Sequence, residues 1–150
     1  MRKNNDTNLK LGIINLGNVV IREDIIEKEM QPEFDKKVSM LHPRLNAYTN
    51  TLVYNIEGMD FYIKTVFFND DIKSVHLSPA EKIYDHDELD MNKYYEYSQR
   101  LKDWAVNLLG DNYVKISSRL FWRFTWGTIS IPDTDYSFTG EMLQIEYGVG

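Results

Sequence analysis

The sequence contains no cysteine. That absence removes a disulfide framework, a thiolate nucleophile and a thiolate metal site together, and makes a reducing cytoplasm the default compartment. Histidine is scarce as well: His42, His76 and His86 are the whole supply. None belongs to a metalloprotease-type helix pair, and none sits beside a recognisable nucleophile motif. No apolar run approaches the roughly 20 residues that cross a bilayer, and the opening "MRKNNDTNLK" has positive charge with no hydrophobic segment after it. Neither a membrane span nor a secretory leader is expected. Basic residues are the minority charge, 17 Lys and Arg against 23 Asp and Glu, which leaves a formal net charge of -6. They are also scattered, with Arg2–Lys3 and Lys36–Lys37 the adjacent pairs. Because nonspecific affinity for phosphate backbones comes from Lys and Arg displacing counterions, nucleic acid is disfavoured as a partner. An acidic surface instead attracts a basic protein and speeds its capture.

What is present suits one folded domain over 1–150, preceded by a polar extension of about 8 residues. A hydrophobic fraction of 43% with many aromatics supports a buried core, and no repeat, low-complexity tract or interdomain linker interrupts it. "LKLGIINLGNVVI" predicts two short strands around the turn "NLGN", and "REDIIEKEM" a short N-terminal helix capped by Asp24 and ended before Pro32. "PEFDKKVSMLHPRLNAYTN" is mixed in period and is expected to be connection with one short strand at most. "TLVYNIEGMDFYIKTVFFNDDIKSVHL" predicts three strands of an antiparallel meander, divided at Glu57-Gly58 and at Asn69-Asp70-Asp71. Phe61, Ile63, Val66 and Phe68 cannot share one alternating face, so a bulge or a sheet covered on both sides is required.

In "MNKYYEYSQRLKDWAVNLLG", Tyr94, Tyr97, Leu101, Trp104, Ala105 and Leu108 recur at helical intervals and Gly110 is placed to end the element. The expected fold is therefore α+β: a mainly antiparallel sheet packed against one long helix near 92–109, with a closed or strongly curved sheet as the alternative.

"FWRFTWGTIS" sets Trp122, Phe124 and Trp126 on one side of a strand, and "EMLQIEYG" does the same for Leu143, Ile145 and Tyr147. Facing such a strand with the apolar side of the helix buries both, at about 1.5–3 kcal/mol per large side chain with roughly 0.5–1.5 kcal/mol more for aromatic pairs. Core is the favoured reading of these rings. The alternative is that Trp122, Phe124 and Trp126 line a cavity for a small ligand such as a sugar or peptide.

The cluster Asp85, His86, Asp87, Glu88 and Asp90 offers oxygen and nitrogen ligands, yet it lacks the central glycine and terminal glutamate of an EF-hand loop. Carboxylates before a helix also favour the positive end of its dipole, so a solvated face outweighs a metal site. Asp85, Asp87, Glu88 and Asp90 remain candidates for meeting a basic partner. "PDTD" places Asp133 and Asp135 in turn chemistry before it suggests an acid–base pair. No phosphate-cradling loop, nucleophile elbow or dinucleotide fingerprint is present. No catalytic residue, cofactor or metal is therefore assigned.

At "RLKDWAVNLLG" followed by "FTWGTISIPDTDYSFTGEMLQIEYG", the chain resembles a set of small bacterial proteins with a late Trp-bearing helix and a C-terminal "WG" hairpin. Some are uncharacterised and some look like immunity proteins of bacterial toxin systems. The resemblance covers roughly the last third, with weaker similarity in the preceding strands, and carries over no catalytic residue. It implies binding to a protein rather than chemistry, and together with the acidic charge this gives the expectation of a noncatalytic protein-binding module, an immunity protein neutralising a basic toxin. A small-ligand-binding domain or enzyme with an aromatic cavity is the other expectation.

Overall fold

A computed structural model describes residues 7–30, 33–34, 36–39, 44–80, 84–85, 88–89, 91–133 and 143–148. The polar extension foreseen at the start lies mostly outside them. In chain order the strands are β1 (Ile14–Asn15), β2 (Val20–Ile21), β3 (Lys36–Ser39), β4 (Leu45–Thr49), β5 (Tyr54–Ile56), β6 (Met59–Phe68), β7 (Asp71–Pro79), β8 (Tyr84–Asp85) and β9 (Glu88–Leu89). The helix α1 (Met91–Leu109) follows, and then β10 (Val114–Ile116), β11 (Arg119–Phe124), β12 (Gly127–Pro132) and β13 (Leu143–Tyr147). Among the described residues the main sheet has nine strands in the order β10-β11-β12-β13-β7-β6-β4-β3, with β5 pairing the same edge of β6 as β4 but nearer its start. Every pairing in it is antiparallel.

The meander foreseen over 51–77 is β5, β6 and β7. Its turns fall where left-handed backbone is needed: Glu57 and Gly58 have φ of 51° and 94°, and Asn69 and Asp70 have φ of 55° and 77°. Positive φ at both central residues is the pattern of a two-residue turn whose twist matches its strands. The required irregularity is a shift in the β6–β7 register between Val66 and Phe67, where Val66 faces Ser74 and Phe67 faces Ile72. Met59, Phe61, Ile63, Thr65 and Phe67 consequently point to one buried face, while Phe68 is exposed. Two strands, β3 and β4, occupy the stretch expected to be mainly connection; "LNAYT" shows no alternation, burying the adjacent Ala47 and Tyr48, and its strand character comes from pairing with β3 and β6.

The N-terminal helix foreseen around "REDIIEKEM" is a 3-10 turn of four residues, Glu27–Met30. Its approach is a turn, with the Ile25 amide on the Arg22 carbonyl, and tertiary contacts fix its start: Ile26 bridges Asp71, and the Glu27 amide donates to the Asp70 carbonyl. The α-helix is also more modest than the long one expected. Its 19 residues span about 28 Å at 1.5 Å per residue, against about 34 Å across the eight strands of the main path, seven spacings of about 4.8 Å.

Helix α1 buries Tyr97, Leu101, Ala105 and Leu109, each four residues from the last. It ends at Gly110, whose φ of 95° admits no side chain easily and whose amide donates to the Val106 carbonyl. The Trp122 indole donates to the Gly110 carbonyl at 2.9 Å, tying the helix end to β11. Beside the helix, Leu9, Ile14, Ile21, Ile25, Met30 and Phe34 from the N-terminal segment join the same core. Helix and segment together cover one face of the sheet.

Candidate functional site

The aromatic strand belongs to that core. Trp122 and Trp126 are buried, and both indoles donate to backbone carbonyls, those of Gly110 and Lys10. Trp126 is not on β11 but in the turn after it, stacked on Phe124 at 5.3 Å and packed near Tyr147. Trp122 and Phe124 do contribute to the wall of an open recess of about 400 Å³ at the outer side of β11, together with Lys10 and Arg123.

Of the acidic candidates, Asp85 and Glu88 sit opposite each other in the β8–β9 pair. Asp87, Asp90 and His86 lie outside the described residues, as do His42 and Asp135. Asp133 is buried and bonds Lys115 at 2.7 Å, with its amide on the Ser118 carbonyl, so it clamps the β10–β11 hairpin. Among the described residues no group of three or more His, Asp or Glu side chains is placed to hold a metal, and no helix is long and apolar enough to cross a membrane.

Sequence reasoning missed a carboxylate-rich end built by the β6–β7 turn. The Glu27 amide donates to both the carbonyl and the Oδ1 of Asp70, and this seats the segment carrying Glu23, Asp24 and Glu29 against Asp70 and Asp71. Those five carboxylates are exposed. Glu27 itself turns inward: burial pulls its carboxyl upward, but the Tyr48 hydroxyl at 2.8 Å, the Asn46 amide and the Lys37 ammonium outweigh that and hold it below its ordinary value. Arg22, Asp24 and Glu29 line a depression of about 400 Å³ beside it. Nearby, Tyr54 donates to Glu33, and burial with that carboxylate pushes the phenol up to about 12. These inward glutamates anchor the segment; the outward ones give the surface its charge.

The second face of the sheet carries a mainly polar row, in which the antiparallel register gathers residues from distant strands. Lys64 faces His76, His76 faces Gln144, Gln144 faces Ser130, and Ser130 faces Phe121, so one row crosses β6, β7, β13, β12 and β11. Arg119 reaches into it with its guanidinium on the Ser130 Oγ and carbonyl, all at 3.1 Å. His76 Nε2 lies 3.2 Å from the buried Ser74 Oγ. Burial pulls the His76 imidazole below its ordinary value, Lys64 and Arg119 pull the same way, and Glu146 opposes them. A neutral histidine thus sits within a row flanked by cations.

No family model, no curated protein and no solved structure matches the chain.

Proposed function

We propose that the protein is a noncatalytic protein-binding module, an immunity protein in particular, that captures a basic partner through its carboxylate-rich surface. The observation supporting this reading is the seating of the 23–29 segment on the Asp70–Asp71 turn, which concentrates exposed carboxylates from two remote stretches of chain. Surface charge of this kind acts mainly on the rate of encounter and is screened over about 10 Å at 0.1 M salt. Asp85, Asp87, Glu88 and Asp90 are proposed as a second set of carboxylates for the same class of partner.

The test compares wild-type chain with an Asp24→Asn, Glu29→Gln, Asp70→Asn, Asp71→Asn variant, both as bait in an extract of the native cell and then by stopped-flow association with the basic protein recovered. The variant is expected to associate severalfold more slowly at low salt, with the two rates converging as salt rises. Equal rates at every salt concentration would remove the carboxylate surface from the interface. Turnover of a defined metabolite by the purified chain, with no protein recovered, would favour the second reading: a small ligand seated in the recess between Phe124, Arg123 and Lys10.

A further inference from the structure

The polar row on the second face lies beside an aromatic recess. Ile116, Phe121, Phe124, Arg123 and Thr128 line an open depression of about 430 Å³ at the β11 end of the row. At the other end stands Lys64, with exposed Tyr62 two residues before it on the same face of β6. Between them the row presents His76 and Gln144, with Ser130 buried beneath the Arg119 guanidinium. The row itself contains no carboxylate; Glu146, opposite Ser74 and Thr128, flanks it on one side.

We propose that this face binds single-stranded nucleic acid, with one base in the Phe121 recess and the phosphate backbone crossing the row towards Lys64. An aromatic ring in an open recess accepts a base of any sequence, because every base has a π-face. Lys64, Arg119 and Arg123 supply the cations that displace counterions, and Gln144 supplies hydrogen-bonding groups for base edges. From β6 to β11 is four strand spacings, about 19 Å at about 4.8 Å each. That length accommodates a strand of several nucleotides. An acidic peptide would use the same cations but leave both Phe121 and Tyr62 without a role, which is why the aromatic ends favour nucleic acid. Glu146 repels phosphate and keeps the backbone on the Arg119 side of the row. The net charge of -6 weakens long-range attraction, and the local row acts within a Debye length.

This inference stands on a different surface from the carboxylate-rich end and does not rest on it. Its test is fluorescence anisotropy of a labelled twelve-nucleotide oligo-dT on the full chain at several salt concentrations, with the matching duplex and a poly-glutamate peptide as competitors. Oligo-dT is expected to bind with an affinity that falls with salt, and neither competitor is expected to displace it efficiently. Lys64→Gln should weaken binding and reduce the magnitude of the log–log salt slope by about 0.7. Phe121→Leu should cost about tenfold in affinity with little change in slope. Glu146→Gln should bind more tightly, a gain that damaged folding does not produce. Ultraviolet cross-linking on the wild-type chain should map to Phe121 or Tyr62, independently of any variant. Absence of binding at low salt, equal displacement by poly-glutamate, cross-links confined to other surfaces, or a Glu146→Gln variant that binds no better would each overturn the proposal.

Discussion

His76 shows how neighbours on other strands set the chemistry of a single side chain. Burial disfavours its charged form first, Lys64 beside it adds repulsion, Arg119 adds more, and Glu146 offsets part of this. Replacing Lys64 by Gln should therefore raise the His76 pKa, and replacing Glu146 by Gln should lower it, both read from imidazole proton shifts across a pH titration. An unchanged pKa in both variants would mean that burial alone governs the ring. The sign for stability follows from the folded pKa lying below the unfolded one. The contribution of neutral His76 is fully present above the unfolded value and is lost as pH falls through the folded value.

At the scale of elements, the β12–β13 pairing depends on the absence of one Cβ. A methyl group at Gly127 would overlap the Glu146 carbonyl oxygen and press on the Tyr147 backbone, so the two strands approach closely only because that position is glycine. Gly127→Ala should destabilise the fold by about 2–3 kcal/mol, the scale of an overpacked interior site, and lower the urea midpoint without a matching change in m-value. An unchanged midpoint would mean that the strands separate at little cost. Gly12 is constrained in the same manner, with φ of 70° and the Trp126 ring 2.9 Å from the place its Cβ would take. The strand pairs around these glycines were only partly visible in sequence. Alternation located β11 and β13, but β10, with all three residues exposed, has no buried face to advertise it.

For the whole molecule, two hydrogen bonds fasten the beginning of the described chain to its end. The Trp126 indole donates to the Lys10 carbonyl and the Tyr147 hydroxyl to the Gly12 carbonyl, each at 2.8 Å, and burial holds the Tyr147 phenol far above its ordinary range. Removing either donor, by Trp126→Phe or Tyr147→Phe, should cost about 1 kcal/mol and leave a buried carbonyl unsatisfied. Amide exchange should then accelerate around 9–13 more than in β6 and β7. Uniform acceleration would show that the N-terminal segment unfolds only with the entire sheet. The sequence by itself determined the amphipathic helix ending at Gly110, the turns at Glu57-Gly58 and Asn69-Asp70, and the interior placement of Trp122, because periodicity, left-handed backbone and hydrophobicity are local properties. It could not reveal that "REDIIEKEM" would break into a turn and a short 3-10 element pinned to Asp70 and Asp71, since the partner lies more than forty residues away. Nor could it show the gathering of Lys64, His76, Gln144, Ser130 and Phe121 into one row. Scattered along the chain, these residues become neighbours only through strand order and register, which are fixed by long-range pairing and by the burial of the opposite face.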